Sequence, residues 1–105
     1  MVRFGLNPHI IETINQVFQK HNHVEKVLLY GSRAIGNYRI GSDIDLTLIG
    51  DNLDLTTLQL IENELDELLL PYKFDISLYR QITNQDLIKH IEEFGKVFFS
   101  QKSSH

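Results

Sequence analysis

The chain has 105 residues, 10 of them Lys or Arg and 14 Asp or Glu, for a formal charge of −4 with 42% hydrophobic residues. That length makes one small domain with a single core and a shallow site, leaving no room for separate catalytic, specificity and lid domains. The absence of cysteine excludes disulfides, zinc ribbons and thiol nucleophiles, so nothing requires an oxidising compartment and the cytoplasm is the expected location. The first residues carry no signal-like apolar run, and no stretch approaches the ~18 apolar residues of a membrane span. Neither export nor membrane insertion is expected. An isoelectric point near 5.6 argues against direct nucleic-acid binding, which draws its affinity from clustered Lys and Arg. A polyanionic ligand would need a local device such as a metal.

No internal repeat or linker divides the chain, so residues 1–105 read as one domain, with an ordered core of about 7–100 and a polar tail at 101–105. Asn7 followed by Pro8 is a helix start, and Ile10, Ile11, Ile14, Val17 and Phe18 recur behind it at helical spacing to about Lys20. His21-Asn22-His23 is a connection, and Lys26 to Tyr30 is a short apolar strand that ends at Gly31. Residues 43–49 alternate in character, which predicts a strand with Ile44, Leu46 and Leu48 facing the core. Asp54 or Thr56 opens a further helix with Leu58, Ile61, Leu65 and Leu68 on one stripe, stopped by Pro71. Phe74, Ile76 and Leu78 then alternate with Asp75, Ser77 and Tyr79 as a third strand. Thr83 or Asn84 caps a last helix carrying Leu87, Ile88, Ile91 and Phe94, Gly95 closes it, and Val97-Phe98-Phe99 forms a terminal strand. Both helical stripes read as core. Helices interleaved with strands give an α/β (α+β) domain, and the short link between the first two strands favours an antiparallel pair within a mixed sheet flanked by helices.

The chemistry concentrates between residues 31 and 75. Asp43 and Asp45, two apart on a strand, send both carboxylates to one face, with Cα atoms about 6.6 Å apart. Asp75 stands on the polar face of the next strand. Three acids on one face raise each other's pKa or recruit a hard cation, and magnesium suits a half-open site of one or two carboxylates plus substrate phosphates. A lone strand aspartate more often just faces solvent, but Asp is depleted in strands, so the Asp-x-Asp pair counts against chance. Gly31-Ser32, directly after a strand, suits a phosphate cradle of backbone N–H groups and a hydroxyl; taken alone the dipeptide is an ordinary turn. Gly31 to Gly36 has Walker A spacing, yet Asn37-Tyr38 stands where Lys and Ser or Thr belong, and no G-x-G-x-x-G follows a strand.

Taken together, Gly31-Ser32-Arg33-Ala34-x-Gly36, then Arg39 and Gly41, then Ser42-Asp43-Ile44-Asp45-Leu46 resembles the signature of the DNA polymerase β-like nucleotidyltransferase superfamily, with Asp75 as the third carboxylate. The likeness is strong over residues 24–80, and the small size resembles the minimal nucleotidyltransferases (MNT group), which usually act beside a helical HEPN protein, in several cases as antitoxin and toxin. The resemblance implies a polymerase β-like fold and Mg2+-dependent transfer of AMP from ATP to an acceptor hydroxyl, through a two-metal site. In it Asp43, Asp45 and Asp75 are the catalytic and metal-binding residues, with Asp75 also taking the hydroxyl proton. Gly31, Ser32, Arg33, Arg39 and Ser42 would bind the nucleotide, the arginines by clamping phosphate. Either arginine also fits a solvated surface.

The partner so implied is a HEPN ribonuclease toxin, neutralised by adenylylation. Two alternatives stand beside it: an antitoxin that blocks its partner sterically without required catalysis, and a small-molecule transferase resembling aminoglycoside-modifying enzymes. The latter normally needs a second helical domain. His21 and His23 have a metal-like spacing but read better as a turn, since no third ligand is near. His9 and His90 fall on helices as solvent-facing or partly buried residues, Tyr38 either stacks on a base or packs, and His105 belongs to a disordered tail.

Overall fold

The computed structural model describes residues 2–101; of the expected polar tail, 102–105 with His105 lie outside the described residues. Helix α1 (Pro8–Gln19) starts where the sequence marks it. The Asn7 side chain accepts a hydrogen bond from the His9 N–H at 2.8 Å, and Pro8 occupies the first turn, where its missing N–H costs nothing. Strand β1 (Lys26–Tyr30) leads into a single helical turn, α2 (Ser32–Ile35), and a loop returns the chain to strand β2 (Ile44–Ile49). Asp54 caps helix α3 (Leu55–Glu67) by accepting from the Thr57 N–H at 2.8 Å. Strand β3 (Phe74–Leu78) passes into a short 3-10 turn that begins at Tyr79, so Tyr79 leaves the strand alternation expected of it. Asn84 caps helix α4 (Gln85–Phe94), and strand β4 (Lys96–Ser100) ends the fold.

The strands lie in the order β3-β2-β1-β4. β1 is antiparallel to both β2 and β4, whereas β2 and β3 run parallel with α3 as their connection, so the sheet is mixed as expected. One face is dry. Val27 and Leu29 of β1, Ile44, Leu46 and Leu48 of β2, and Ile76 and Leu78 of β3 are buried there in one cluster with the stripes of α1 and α3. Burying such side chains, at roughly 1.5–3 kcal/mol each, is the main force holding the two helices on the sheet.

The core extends beyond the expected elements. Leu6 is fully buried, delivered by a tight turn in which Phe4 and Gly5 both have positive φ and Arg3 and Leu6 exchange backbone hydrogen bonds. The stripe of α4 departs from its expected role. Ile91 is buried but outside the main cluster, Leu87 and Ile88 are half-buried, and Phe94 is exposed. α4 contacts β1 and places His90 beside Tyr30, on the face opposite the core, so its apolar side partly covers that second face. Among the described residues, no helix is long and apolar enough to cross a membrane.

Candidate active site

The second face of the sheet carries the polar residues of the same strands. Tyr30 of β1 pairs in register with Asp45 of β2, and Asp45 with Asp75 of β3, which lines up one phenol and two carboxylates across three strands. Neighbouring strands are about 4.8 Å apart, so the two acids are forced side by side. Asp43 stands one residue ahead of β2 rather than inside it, and is exposed. This corrects the expectation that both members of the pair lie on the strand.

Electrostatics mark Asp45 as the centre of the cluster. Burial pushes its carboxyl above the ordinary value of 3.8; the neighbouring Asp75 and Asp43 charges add to the rise, while the Arg33 charge opposes it. Tyr30, 8% exposed, is likewise held above its ordinary value, chiefly by burial; the nearby Ser77 side chain opposes this, and the Asp75 and Asp45 charges add to it. Below that row the Ser77 hydroxyl donates to Thr47 Oγ1 at 3.0 Å, satisfying a fully buried threonine.

The turn after β1 lies directly against Asp45. Gly31 has φ 78°, and a Cβ placed on it would come within 2.4 Å of Asp45 Oδ2. Only glycine fits, for both conformation and space. Ser32 follows, half-buried, as the first residue of α2. The structure therefore brings Gly31, Ser32, Asp45 and Asp75 together, with Asp43 at the rim.

The model of the polymerase beta nucleotidyltransferase family matches residues 12–104. The chain belongs to that family. Several solved toxin–antitoxin structures share the fold of this nucleotidyltransferase. A toxin–antitoxin crystallised with AMP-PNP superposes with a TM-score of 0.69 at 20% identity, covering 88% of this chain and 74% of the other. An MNT antitoxin in complex with a tri-AMPylated HEPN toxin from Shewanella oneidensis gives 0.57 at 19% identity, over 89% and 68%. A nucleotidyltransferase from Sulfolobus solfataricus gives 0.52 at 16%, over 87% and 77%. No curated protein matches the chain.

The remaining expected site residues of this nucleotidyltransferase divide sharply. Arg33 is neither solvated nor turned toward the acids' open side. It is 4% exposed, donates from Nε and Nη2 to the Ser42 carbonyl at 3.2 and 2.9 Å and from Nη1 to the Phe4 carbonyl at 2.9 Å, and lies 5.3 Å from the ring centres of both Tyr38 and Tyr72. It staples the N-terminal turn to the loop ahead of β2. Ser42 serves that loop too: its hydroxyl accepts from the Arg39 N–H at 2.8 Å. The Arg39 side chain is exposed. Tyr38 packs against Arg33, and His21, in the turn after α1, makes a 2.7 Å contact with Glu64 of α3. His9 and His23 are exposed.

The sequence places three acids on one face of the sheet. Among the described residues, no group of three or more His, Asp or Glu side chains is closed around a metal position. The donor set nonetheless fits magnesium. It is all oxygen, it centres on a carboxylate crowded by like charge, and it is open on one side, which suits an ion that takes one or two carboxylates and completes its shell with water and phosphate.

Sequence reasoning missed His90, whose Nε2 accepts a hydrogen bond from the Gly31 N–H at 3.0 Å. Its place on an amphipathic helix gives no local signal, because the contact spans 59 positions. It also missed Tyr30, which reads in sequence as the last apolar residue of a strand.

Proposed function

We propose that this nucleotidyltransferase transfers AMP from ATP to a hydroxyl of a partner protein, and that the partner is a HEPN-type toxin neutralised by the modification. The observation that carries the reading is the Gly31–Ser32 turn seated on Asp45, with Asp75 in register beside it. A phosphate chain on the turn would thereby lie next to the acids. The similarity to a toxin–antitoxin with AMP-PNP, and to an MNT antitoxin complexed with an AMPylated HEPN toxin, supports the choice of nucleotide and partner.

Asp43 and Asp45 would hold Mg2+, joined by Asp75 if a second ion binds; the cation supplies charge neutralisation for the triphosphate and the leaving pyrophosphate. The Ser32 hydroxyl donates to a phosphate oxygen, and exposed Arg39 reaches the same anion from the loop. Asp75 is the more exposed member of the in-register pair and accepts the proton of the attacking hydroxyl. A bond forms between that oxygen and the α-phosphorus, the bond from the α-phosphorus to pyrophosphate breaks, and AMP remains on the acceptor. Arg33 contributes by holding the loop that carries Ser42 and Asp43, not by touching phosphate.

The test is to incubate the protein and its co-purifying partner with Mg2+ and ATP and follow intact masses. The partner is expected to gain adenylate mass, and Asp43→Asn is expected to lower the rate at least ~10³-fold, the equivalent of several kcal/mol of charge stabilisation, while partner binding persists. A partner that binds and is inhibited without gaining mass would replace this reading with steric inhibition.

A further inference from the structure

His90 is brought to the Gly31 turn by α4. Its ring meets Tyr30 edge-on with centroids 6.2 Å apart and packs against Phe94 at 5.3 Å, which fixes the direction of Nε2. That nitrogen accepts from the Gly31 N–H at 3.0 Å, and among the described residues no backbone carbonyl takes this amide. For Nε2 to accept, the ring proton must sit on Nδ1. On the same glycine a Cβ would come within 2.4 Å of Asp45 Oδ2, so the turn lies close against that carboxylate. The Gly31 peptide is therefore bonded to an imidazole from α4 and lies beside a carboxylate from β2.

We infer that His90 is a positioning residue of the transfer site: by holding the Gly31 amide it keeps the Gly31–Ser32 turn seated on Asp45 and so fixes the gap between the phosphate-binding turn and the acids. This rests on the functional reading above. Helix docking alone does not require a histidine here, since an apolar side chain would serve against Tyr30 and Phe94. What the imidazole adds is an acceptor for an amide that the sheet leaves unpaired, on the residue that touches the central carboxylate. His90 acts through Gly31, and its loss lets the turn shift while every acid remains in place. A displacement near 1 Å of reacting groups costs up to ~10²-fold in rate.

The experiment compares His90→Leu, which keeps bulk without an acceptor, with His90→Gln, whose carboxamide oxygen can take the place of Nε2. The readouts are the Gly31 amide signal in 15N–1H spectra, the thermal midpoint, and kcat and KM for ATP in transfer to the partner. The Leu variant is expected to fold, to lose the hydrogen-bonded Gly31 signal and its exchange protection, and to lose about 10–100-fold in kcat with KM changed less than about threefold. The Gln variant is expected to restore the signal and most of kcat. Wild-type kcat in the Leu variant, or a Gln variant as slow as Leu at equal thermal midpoint, would overturn the inference. If the wild type transfers no AMP, the functional reading falls by itself, and His90 is then judged on the Gly31 amide in the same spectra. There, loss of its exchange protection in Leu and its return in Gln supports the positioning role, and equal protection in all three chains overturns it.

Discussion

The two faces of the sheet are made by the same strands and differ in everything that borders them. Val27, Leu29, Leu46 and Leu48 alternate along β1 and β2 with Leu28, Tyr30, Asp45 and Thr47, so the two strands together give one face a hydrocarbon layer and the other a phenol, a carboxylate and a hydroxyl beside Leu28. The first face is sealed by two capped helices. The second is covered only in part, by α4, and there Asp45 sits in electrostatic tension with its neighbours. The contrast locates stability on one side of the sheet and candidate chemistry on the other. It also explains how a chain of 105 residues can hold a cluster of acids: the dry face offsets what the acidic face costs.

Substitutions on the two faces should therefore separate stability from ligand response. Phe18, fully buried and tilted against Phe99 at 5.7 Å, belongs to the dry face. Phe18→Ala is expected to cost about 3–5 kcal/mol in urea unfolding; a loss below 1 kcal/mol would mean that the core closes without α1. On the acidic face, Mg-ATP at about 100 times its dissociation constant is expected to add about 2.7 kcal/mol of apparent stability. Thermal melts should show this gain in the wild type and lose it in Asp43→Asn. A gain unaffected by that substitution would move the nucleotide off the acids.

Arg33 joins the two regimes, a buried cation whose Nε, Nη1 and Nη2 each donate to a loop carbonyl. Arg33→Ala is expected to cost roughly 2 kcal/mol by leaving the Phe4 and Ser42 carbonyls unpaired. Arg33→Lys should recover less than half, because one ammonium cannot reproduce the fork. The smallest expected effect has the opposite sign. Because folding raises the Asp45 pKa above 3.8, the native state binds its proton more tightly than the unfolded chain does. The favourable contribution is then complete below the unfolded value and is lost as pH rises through the folded one. Asp45→Asn is accordingly expected to raise the thermal midpoint at neutral pH by no more than about 2–4 °C, because solvent screens the partly exposed carboxylate, and to flatten that part of the pH profile. A destabilised Asn variant would show instead that the carboxylate supports the fold.

Much of the architecture was legible in the sequence because it is written in local terms. Asn7-Pro8, Asp54 and Asn84 announce helix starts through groups that bond two or three residues ahead. The alternation from Ile44 to Leu48 and from Phe74 to Leu78 sorts core from site. The acids and the Gly31-Ser32 turn could be named because their spacing is short and their residue types are costly anywhere else.

What stayed hidden depends on contacts between distant segments. Arg33 sits in a motif that reads as a phosphate-facing loop, yet its partner Phe4 lies 29 positions away; only the folded N-terminal turn decides that the guanidinium points inward. The apolar stripe of α4 reads as core, but a periodic pattern shows that a face is buried and not which side of the sheet it meets. His90 gains its role from that same placement. The sequence by itself determined α1, α3, α4 and the four strands, and the inward residues of α1, α3 and β2, since these follow from periods of 3.6 and 2 and from capping chemistry. The tertiary structure alone decided that β4 pairs with the far edge of β1, that Asp45 and Asp75 stand in register, and that the Gly31 amide is held from α4. Those outcomes are set by packing between segments far apart in the chain, which no local preference encodes.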